Sequence, residues 1–212
     1  MAPNRKKVLV PSNMGTQGVD ILKARDDIDL VVYPHTITHA ELHPMLADMH
    51  GIALSATPFQ AAQTAASPAL QVVARIGVGY DAVEIPPLSA RKIPLMTAGI
   101  ANSTSVAEQA ISFFFALAKQ HAYMDALMRK GDWANRYTMM PVELANKTAL
   151  VIGFGRIGTR TARKCAALDM RVLVYDPHVS QGMISGAGHE AVDDLDAAVA
   201  QADFISIHVP KK

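Results

Sequence analysis

Six residues at fixed spacing, Gly153-Phe154-Gly155-Arg156-Ile157-Gly158, could hold a diphosphate, and one acid, Asp176, could hold a sugar. In such a turn the first glycine lets the chain close and the second lets backbone approach a pyrophosphate. The third lets a following helix pack against the preceding strand. The anion then rests on the N–H groups at the helix start, at the positive end of the helix dipole. A carboxylate at the end of the next strand can accept both hydroxyls of an adenosine ribose. The same carboxylate repels a 2′-phosphate, and Pro177-His178-Val179-Ser180 supplies no Arg or Lys to hold one. NAD is therefore expected over NADP.

A glycine turn alone can be nothing more than tight packing. This one sits in the right surroundings. An apolar run, Thr148 to Ile152, precedes it, a helical pattern with Ala162, Ala166 and Leu168 on one side follows, and a second apolar run ends at Tyr175-Asp176. Strand, turn, helix and strand in that order are the context the motif requires.

The other reactive side chains are weaker candidates. His39 and His43 lie four apart on an expected helix with Glu41 between them, but a zinc-protease pattern needs the Glu directly after the first His. They read as helix-surface residues, and no metal site is expected. Cys165, the only cysteine, reads as a small buried residue, and a reducing compartment is the simple inference. His121 and His189 read as surface residues. His208 is different because it ends a strand, where parallel sheets bind ligands.

These residues need a scaffold. Strands are expected at 8–10, 28–33, 51–56 and 70–76, and a fifth at 95–97. Between them come a helix at 18–25 and another opened by the capping box Thr38-His39-Ala40-Glu41 and running to about Met49. Such alternation implies a parallel sheet covered on both faces. The texture changes at Ala98-Gly99-Ile100-Ala101, taken as a hinge, after which Ser103-Thr104-Ser105 is expected to cap a helix to about His121. That helix is apolar all round, with three consecutive phenylalanines, so a subunit interface is its natural cover. A loop or arm is expected from Met128 to Pro141, a turn-rich piece over 180–188, a helix over 193–202 and a last strand at 204–209.

Composition narrows the classes further. A net charge of +1 argues against a nucleic-acid or membrane surface as partner. The start, MAPNRKKVLVPSNMG, has too short an apolar run for a signal peptide, and no stretch is long enough to span a bilayer, so a cytoplasmic location is expected.

Taken in order, the pieces resemble the D-isomer-specific 2-hydroxyacid dehydrogenases, most closely their phosphoglycerate dehydrogenase branch. The resemblance is dense from Leu70 to Pro210 and rests on strand pattern alone before that. It lies in Leu70-Gln71-Val72-Val73-Ala74-Arg75-Ile76-Gly77-Val78-Gly79-Tyr80-Asp81, in Asn102-Ser103-Thr104-Ser105-Val106-Ala107-Glu108, and in Arg129-Lys130-Gly131-Asp132-Trp133. It continues in the glycine turn, in Tyr175-Asp176-Pro177 and in His208-Val209-Pro210. Asp81-Ala82-Val83-Glu84 and Pro86-Pro87 depart from the family's usual pattern.

The resemblance implies an α/β protein with a flavodoxin-like parallel-sheet substrate domain over residues 1–99. Over 100–212 it implies a Rossmann dinucleotide-binding domain, incomplete at its C-terminus. It implies NAD held by Gly153, Gly155, Arg156, Ile157, Gly158, Tyr175, Asp176, Pro177, His208, Val209 and Pro210. A small 2-hydroxy or 2-oxo acid, phosphoglycerate-like in that branch, would be gripped through its carboxylate by the N–H groups of Val78 and Gly79. Arg75 would face its distal charge, and Asn102 would either touch the substrate or cap the helix. Arg136, on the arm, would reach toward a partner's site, with a spacing after Trp133 that departs from the family. A homodimer through the 103–121 helix and the arm follows. The family's catalytic Arg, Glu and His have no counterpart up to Lys212, so hydride transfer is implied for the family while the chain as written is expected to be inactive, a portion of a longer enzyme. Two alternatives share the fold: a formate dehydrogenase, which has the Asn-Ser-x-Ser-Val-Ala-Glu phrase, and a noncatalytic NAD-sensing dimeric regulator. A methyltransferase is disfavoured by the Arg156-Ile157 pair and the substrate loop.

Overall fold

The structure is a computed structural model that describes residues 5–210. The first residues of the basic start and the terminal Lys211-Lys212 lie outside the described residues. The chain divides into two compact units, Met1–Ala101 and Asn102–Lys212, each built on its own parallel sheet.

The first unit threads β1 (Lys6–Pro11), α1 (Thr16–Lys23), β2 (Ile28–Tyr33), α2 (His39–Leu42), β3 (Gly51–Leu54), α3 (Ala61–Ala65), β4 (Val72–Arg75), α4 (Ile85–Ala90) and β5 (Leu95–Met96). The sheet order is β2-β1-β3-β4-β5, all parallel, so the chain moves outward in one direction from β1 to β2 and in the other from β3 to β5. Leu9, Tyr33, Ile52, Leu54, Phe59, Val73 and Leu88 close a single core. The capping box forms as expected, with the Glu41 N–H donating to Thr38 Oγ1 and the Thr38 N–H donating to the Glu41 carboxylate. The helix it opens ends earlier than expected, because Pro44 sits at the start of a 3-10 turn, His43–Leu46, that replaces the remaining α-helix. Pro86-Pro87 occupy the first turn of α4, where a missing N–H costs nothing. Neither α3 nor α4 has an apolar periodicity long enough to read from sequence.

The second unit holds α5 (Ser103–Ala118), α6 (His121–Lys130), a 3-10 turn (Trp133–Tyr137), β6 (Thr148–Ile152), α7 (Gly158–Ala166), β7 (Arg171–Tyr175), α8 (Gln181–Gly186), β8 (Glu190–Ala191), α9 (Leu195–Val199) and β9 (Phe204–Ile207). The helix expected to about His121 ends at Ala118, and a second helix that was not expected, α6, begins at His121. Gln120 takes a left-handed conformation at φ 52° and breaks the run. Of the expected arm, α6 takes the first three residues, Met128–Lys130, and the 3-10 turn takes Trp133–Tyr137. The Ser/Thr cap is also absent: Asn102 is the capping position, and no side chain completes it.

Sheet order in this unit is β8-β7-β6-β9, again all parallel. Successive residues of the central strands face opposite ways. Val151 and Val174 pack with Phe114, Ala162, Cys165 and Ile184 on one face, and Leu150 and Leu173 with Ala198 on the other. The arrangement is α/β, with two parallel sheets whose carboxyl ends carry the residues singled out above.

Candidate functional site

The glycine turn follows β6 directly. Gly153 has φ +93°, and a Cβ there would come within 2.7 Å of the His208 carbonyl oxygen. A Cβ on Gly158 would overlap the Gly153 carbonyl oxygen, so only glycine lets α7 start this close to the strand. At Gly155 nothing lies within 4 Å of where a Cβ would be. The three glycines thus serve closure, packing and an open approach. Among the described residues, the N–H groups of Gly155, Ile157 and Gly158 meet no acceptor. They form a row of donors at the positive end of α7, shaped for an anion.

Asp176 stands past the end of β7 and is already oriented. Its Oδ2 accepts from the Phe154 N–H at 2.7 Å and its Oδ1 from the His178 N–H at 2.8 Å. Partial burial pushes its pKa up, but the N–H bonds from Phe154 and His178 together outweigh burial and hold the carboxyl below its ordinary range. The charged form is the one the site keeps. Tyr175 and Pro177 flank it, lining with Ser180 and Asp193 a recess of about 370 Å³.

His208 lies just beyond β9, beside the turn. Its N–H donates to the Ile152 carbonyl at 2.7 Å, and its Nε2 meets Ser206 Oγ at 2.9 Å. Burial lowers its pKa. Val209 and Pro210 are exposed next to it. These residues, together with the unfilled space at Gly155, fit an adenine dinucleotide: diphosphate on the glycine turn, ribose on Asp176, and a strand-end floor from His208 to Pro210.

One residue behind this site, His189, differs from expectation, and another, Cys165, is buried as expected. His189 is half-buried rather than a free surface residue: its ring meets Phe154 edge-on at 5.8 Å, its Nδ1 is buried without a partner among the described residues, and burial lowers its pKa. The glycine motif hides this contact, because Phe154 appears only as a variable position. Cys165 is fully buried, and burial pushes its thiol up to about 11, which makes it inert at neutral pH.

In the first unit, the loop after β4 carries Arg75, Val78 and Gly79. The Gly77 carbonyl accepts from the Ala98 N–H at 3.1 Å, and the Gly79 carbonyl accepts from Arg75 Nε at 3.0 Å. The N–H groups of Gly77, Val78 and Gly79 meet no acceptor among the described residues. A trans peptide points its C=O and N–H in opposite directions, so tying back the Gly77 carbonyl turns the Val78 N–H outward. Arg75 Nη1 lies 3.4 Å from the Leu54 carbonyl. In the second unit, Asn102 makes no cap, and its Oδ1 is buried with no partner among the described residues. The Arg136 guanidinium lies 4.6 Å over the Trp133 ring and 4.2 Å over that of Tyr137.

Residues 111–212 match the family model for the D-isomer specific 2-hydroxyacid dehydrogenase NAD binding domain. D-3-phosphoglycerate dehydrogenase of Mycobacterium tuberculosis is 40% identical over 157 residues, covering 74% of this chain and 29% of that one. The same enzyme of Archaeoglobus fulgidus is 34% identical over 206 residues, 97% of this chain and 38% of that one. D-lactate dehydrogenase from Aquifex aeolicus, solved with NAD and lactic acid, superposes with a TM-score of 0.82 at 24% identity, over 97% of this chain and 61% of that one. At that identity the likeness speaks for the fold alone. The chain spans between 29% and 38% of the length of the curated relatives it matches.

Proposed function

Because residues 111–212 belong to the D-isomer specific 2-hydroxyacid dehydrogenases as their NAD-binding domain, we propose that this chain is the substrate-gripping and cofactor-holding portion of an NAD-dependent oxidoreductase that interconverts a D-2-hydroxy acid and its 2-oxo acid. Bound NAD supplies the hydride acceptor. Residues 1–99 take the acid and 100–212 the dinucleotide. The observation that carries this reading is the pairing of a donor-lined glycine turn with a pre-set Asp176 carboxylate.

Each residue then has a task. The N–H groups of Val78 and Gly79, which meet no acceptor among the described residues, hold the substrate carboxylate as an anion nest, and Arg75 belongs to the same loop. Asn102, with an unspent amide, contributes a further polar contact to substrate. Gly153, Gly155, Arg156, Ile157 and Gly158 carry the diphosphate, Tyr175, Asp176 and Pro177 the adenosine, and His208, Val209 and Pro210 the floor. No side chain among these is given the proton step; His208 is occupied with Ser206 and lies on the strand-end floor.

Assembly and location complete the proposal. Phe113 and Leu117 on α5 and Trp133, Tyr137 and Met140 on the following segment are exposed apolar groups that a second copy would cover, which supports a homodimer. No helix among the described residues is long and apolar enough to cross a membrane, and a cytoplasmic location is our reading.

Calorimetric titration with NAD and NADP tests the cofactor half. NAD is expected to bind at least about tenfold more tightly, and Asp176→Ala to remove most of that preference, since a carboxylate facing a 2′-phosphate is a like-charge contact. Equal affinity of the unaltered chain for the two cofactors would overturn the assignment of Asp176.

A further inference from the structure

The end of α8 carries a histidine where the local geometry asks for an apolar residue. Gly188, at φ +86°, closes the helix: its N–H donates to the Ser185 carbonyl at 2.9 Å, and the His189 N–H donates to the Ile184 carbonyl at 3.3 Å. In this closing motif the residue after the left-handed glycine commonly makes an apolar contact back onto the helix. Here that residue is half-buried, and its Nδ1 is buried with no partner among the described residues. A buried ring nitrogen left without a partner destabilises the fold, so packing alone does not account for a histidine there.

Two parts of the cofactor site meet at this residue. Its backbone is tied to Ile184, which lines the recess beside Asp176. Its ring stands edge-on to Phe154 at 5.8 Å, and the Phe154 N–H holds Asp176 Oδ2 at 2.7 Å. Contact therefore runs from the end of α8, through one aromatic residue, to the carboxylate that the ribose would meet.

A proton on the imidazole would make Nδ1 a donor in a place where it has no acceptor. The elements around it supply no counter-charge. α8 has no titratable side chain. β7 brings Arg171 and Tyr175, and β8 brings Glu190, but Arg171 and Glu190 pair with each other at 2.7 Å. Asp176 is held by the Phe154 and His178 N–H groups, and the side chains of Arg156, His178 and Asp193 are exposed. Burial alone lowers the His189 pKa, and the fold keeps the neutral ring.

Resting on the NAD reading above, we propose that His189 is a positioning residue for the cofactor: its neutral ring seats Phe154 so that Asp176 faces the ribose, and protonation unseats Phe154 and weakens the grip on NAD. Proton and cofactor then oppose each other, and by linkage the opposition is mutual.

The test is calorimetric titration of the full chain with NAD at about pH 7.5 and about pH 5.5. Affinity is expected to fall about fivefold or more between the two. His189→Leu supplies the apolar contact that the helix end calls for, and it should lose that fall. His178→Gln and His208→Gln should each keep it, although both histidines lie in the same site. Proton NMR titration of the histidine rings in the unaltered chain needs no variant to fold, and NAD should move the His189 midpoint to lower pH. A fall that survives His189→Leu overturns the proposal, as does a midpoint that NAD leaves in place or NAD binding that is equally tight at both pH values. If NAD does not bind even at the higher pH, the cofactor reading itself fails. That result is distinct from a wrong role for His189.

Discussion

Both sheets offer backbone N–H groups to an anion past a strand's carboxyl end, but they hold those groups in place by different means. After β6, the donors run straight into α7, and the turn is fixed by sterics: Gly153 against the His208 carbonyl, Gly158 against the Gly153 carbonyl. After β4 no helix follows at once, and the donors are fixed by two hydrogen bonds to carbonyls, one from the Ala98 N–H and one from the Arg75 side chain. The turn after β6 is therefore rigid, and it is intolerant of side chains at Gly153 and Gly158. The loop after β4 is held by replaceable contacts, so it can be retuned one residue at a time.

Glycine substitutions should split along this line most sharply. Gly158→Ala is expected to cost about 3 kcal/mol or more, since backbone must move to admit the methyl, and thermal melting with NAD titration should show loss of both stability and binding. Gly79→Ala meets only Asp81 Oδ2, at 3.5 Å, so its melting should stay within about 0.5 kcal/mol of the original. If the two variants melted alike, the contrast between the sites would be wrong.

Gly155→Ala sharpens the same comparison within the cofactor turn. Nothing in the protein opposes a Cβ there, so folding should be retained while NAD affinity falls about tenfold or more, the methyl occupying space meant for diphosphate. Loss of stability without loss of affinity would mean that the open space serves packing after all.

The contrast also explains what could be read before any coordinates. The cofactor turn announced itself because steric demands leave a fixed signature, glycine at three set positions and an acid one strand later. That the sheets are parallel followed from strands alternating with helices. What stayed hidden depends on convergence in space: Asn13 and Ser55 are 42 residues apart in sequence and meet only because β1 and β3 pair. His189 behind Phe154 is of the same kind. The helix α6 that follows the left-handed Gln120 was hidden for another reason, since no Ser, Thr, Asp or Asn stands before His121 to mark its start.

A third prediction concerns Arg75. Arg75→Met removes the tie to the Gly79 carbonyl and should weaken binding of D-lactate, which has no distal charge, by about three- to tenfold. Unchanged D-lactate binding would show that the loop stands without it.

The smallest expected effect is a pH dependence of the floor. Burial lowers the pKa of His208, so below its unfolded value of about 6.5 the unfolded chain binds more protons than the folded one. Its contribution to stability is complete above that pH and is lost as pH falls through the lower folded value. Melting temperature should decline gently below about pH 6.5, less so in His208→Gln. An identical slope in the variant would place the titration elsewhere, with His189, also lowered by burial, the next to substitute.

One consequence of the sheet order concerns the sequence of events in folding. Thr148 meets Arg171 across β6 and β7, a short closure, while Ala149 meets Phe204 only after a much longer one. Long loops close more slowly because more chain entropy is lost before a contact forms. Strand, turn, helix and strand from 148 to 175 should thus assemble early as a local unit, with the phosphate cradle shaped but its floor missing until β9 docks and brings His208 under the turn. Pulse-labelled hydrogen exchange during refolding, with β6 and β7 amides protected before those of β9, would establish that order.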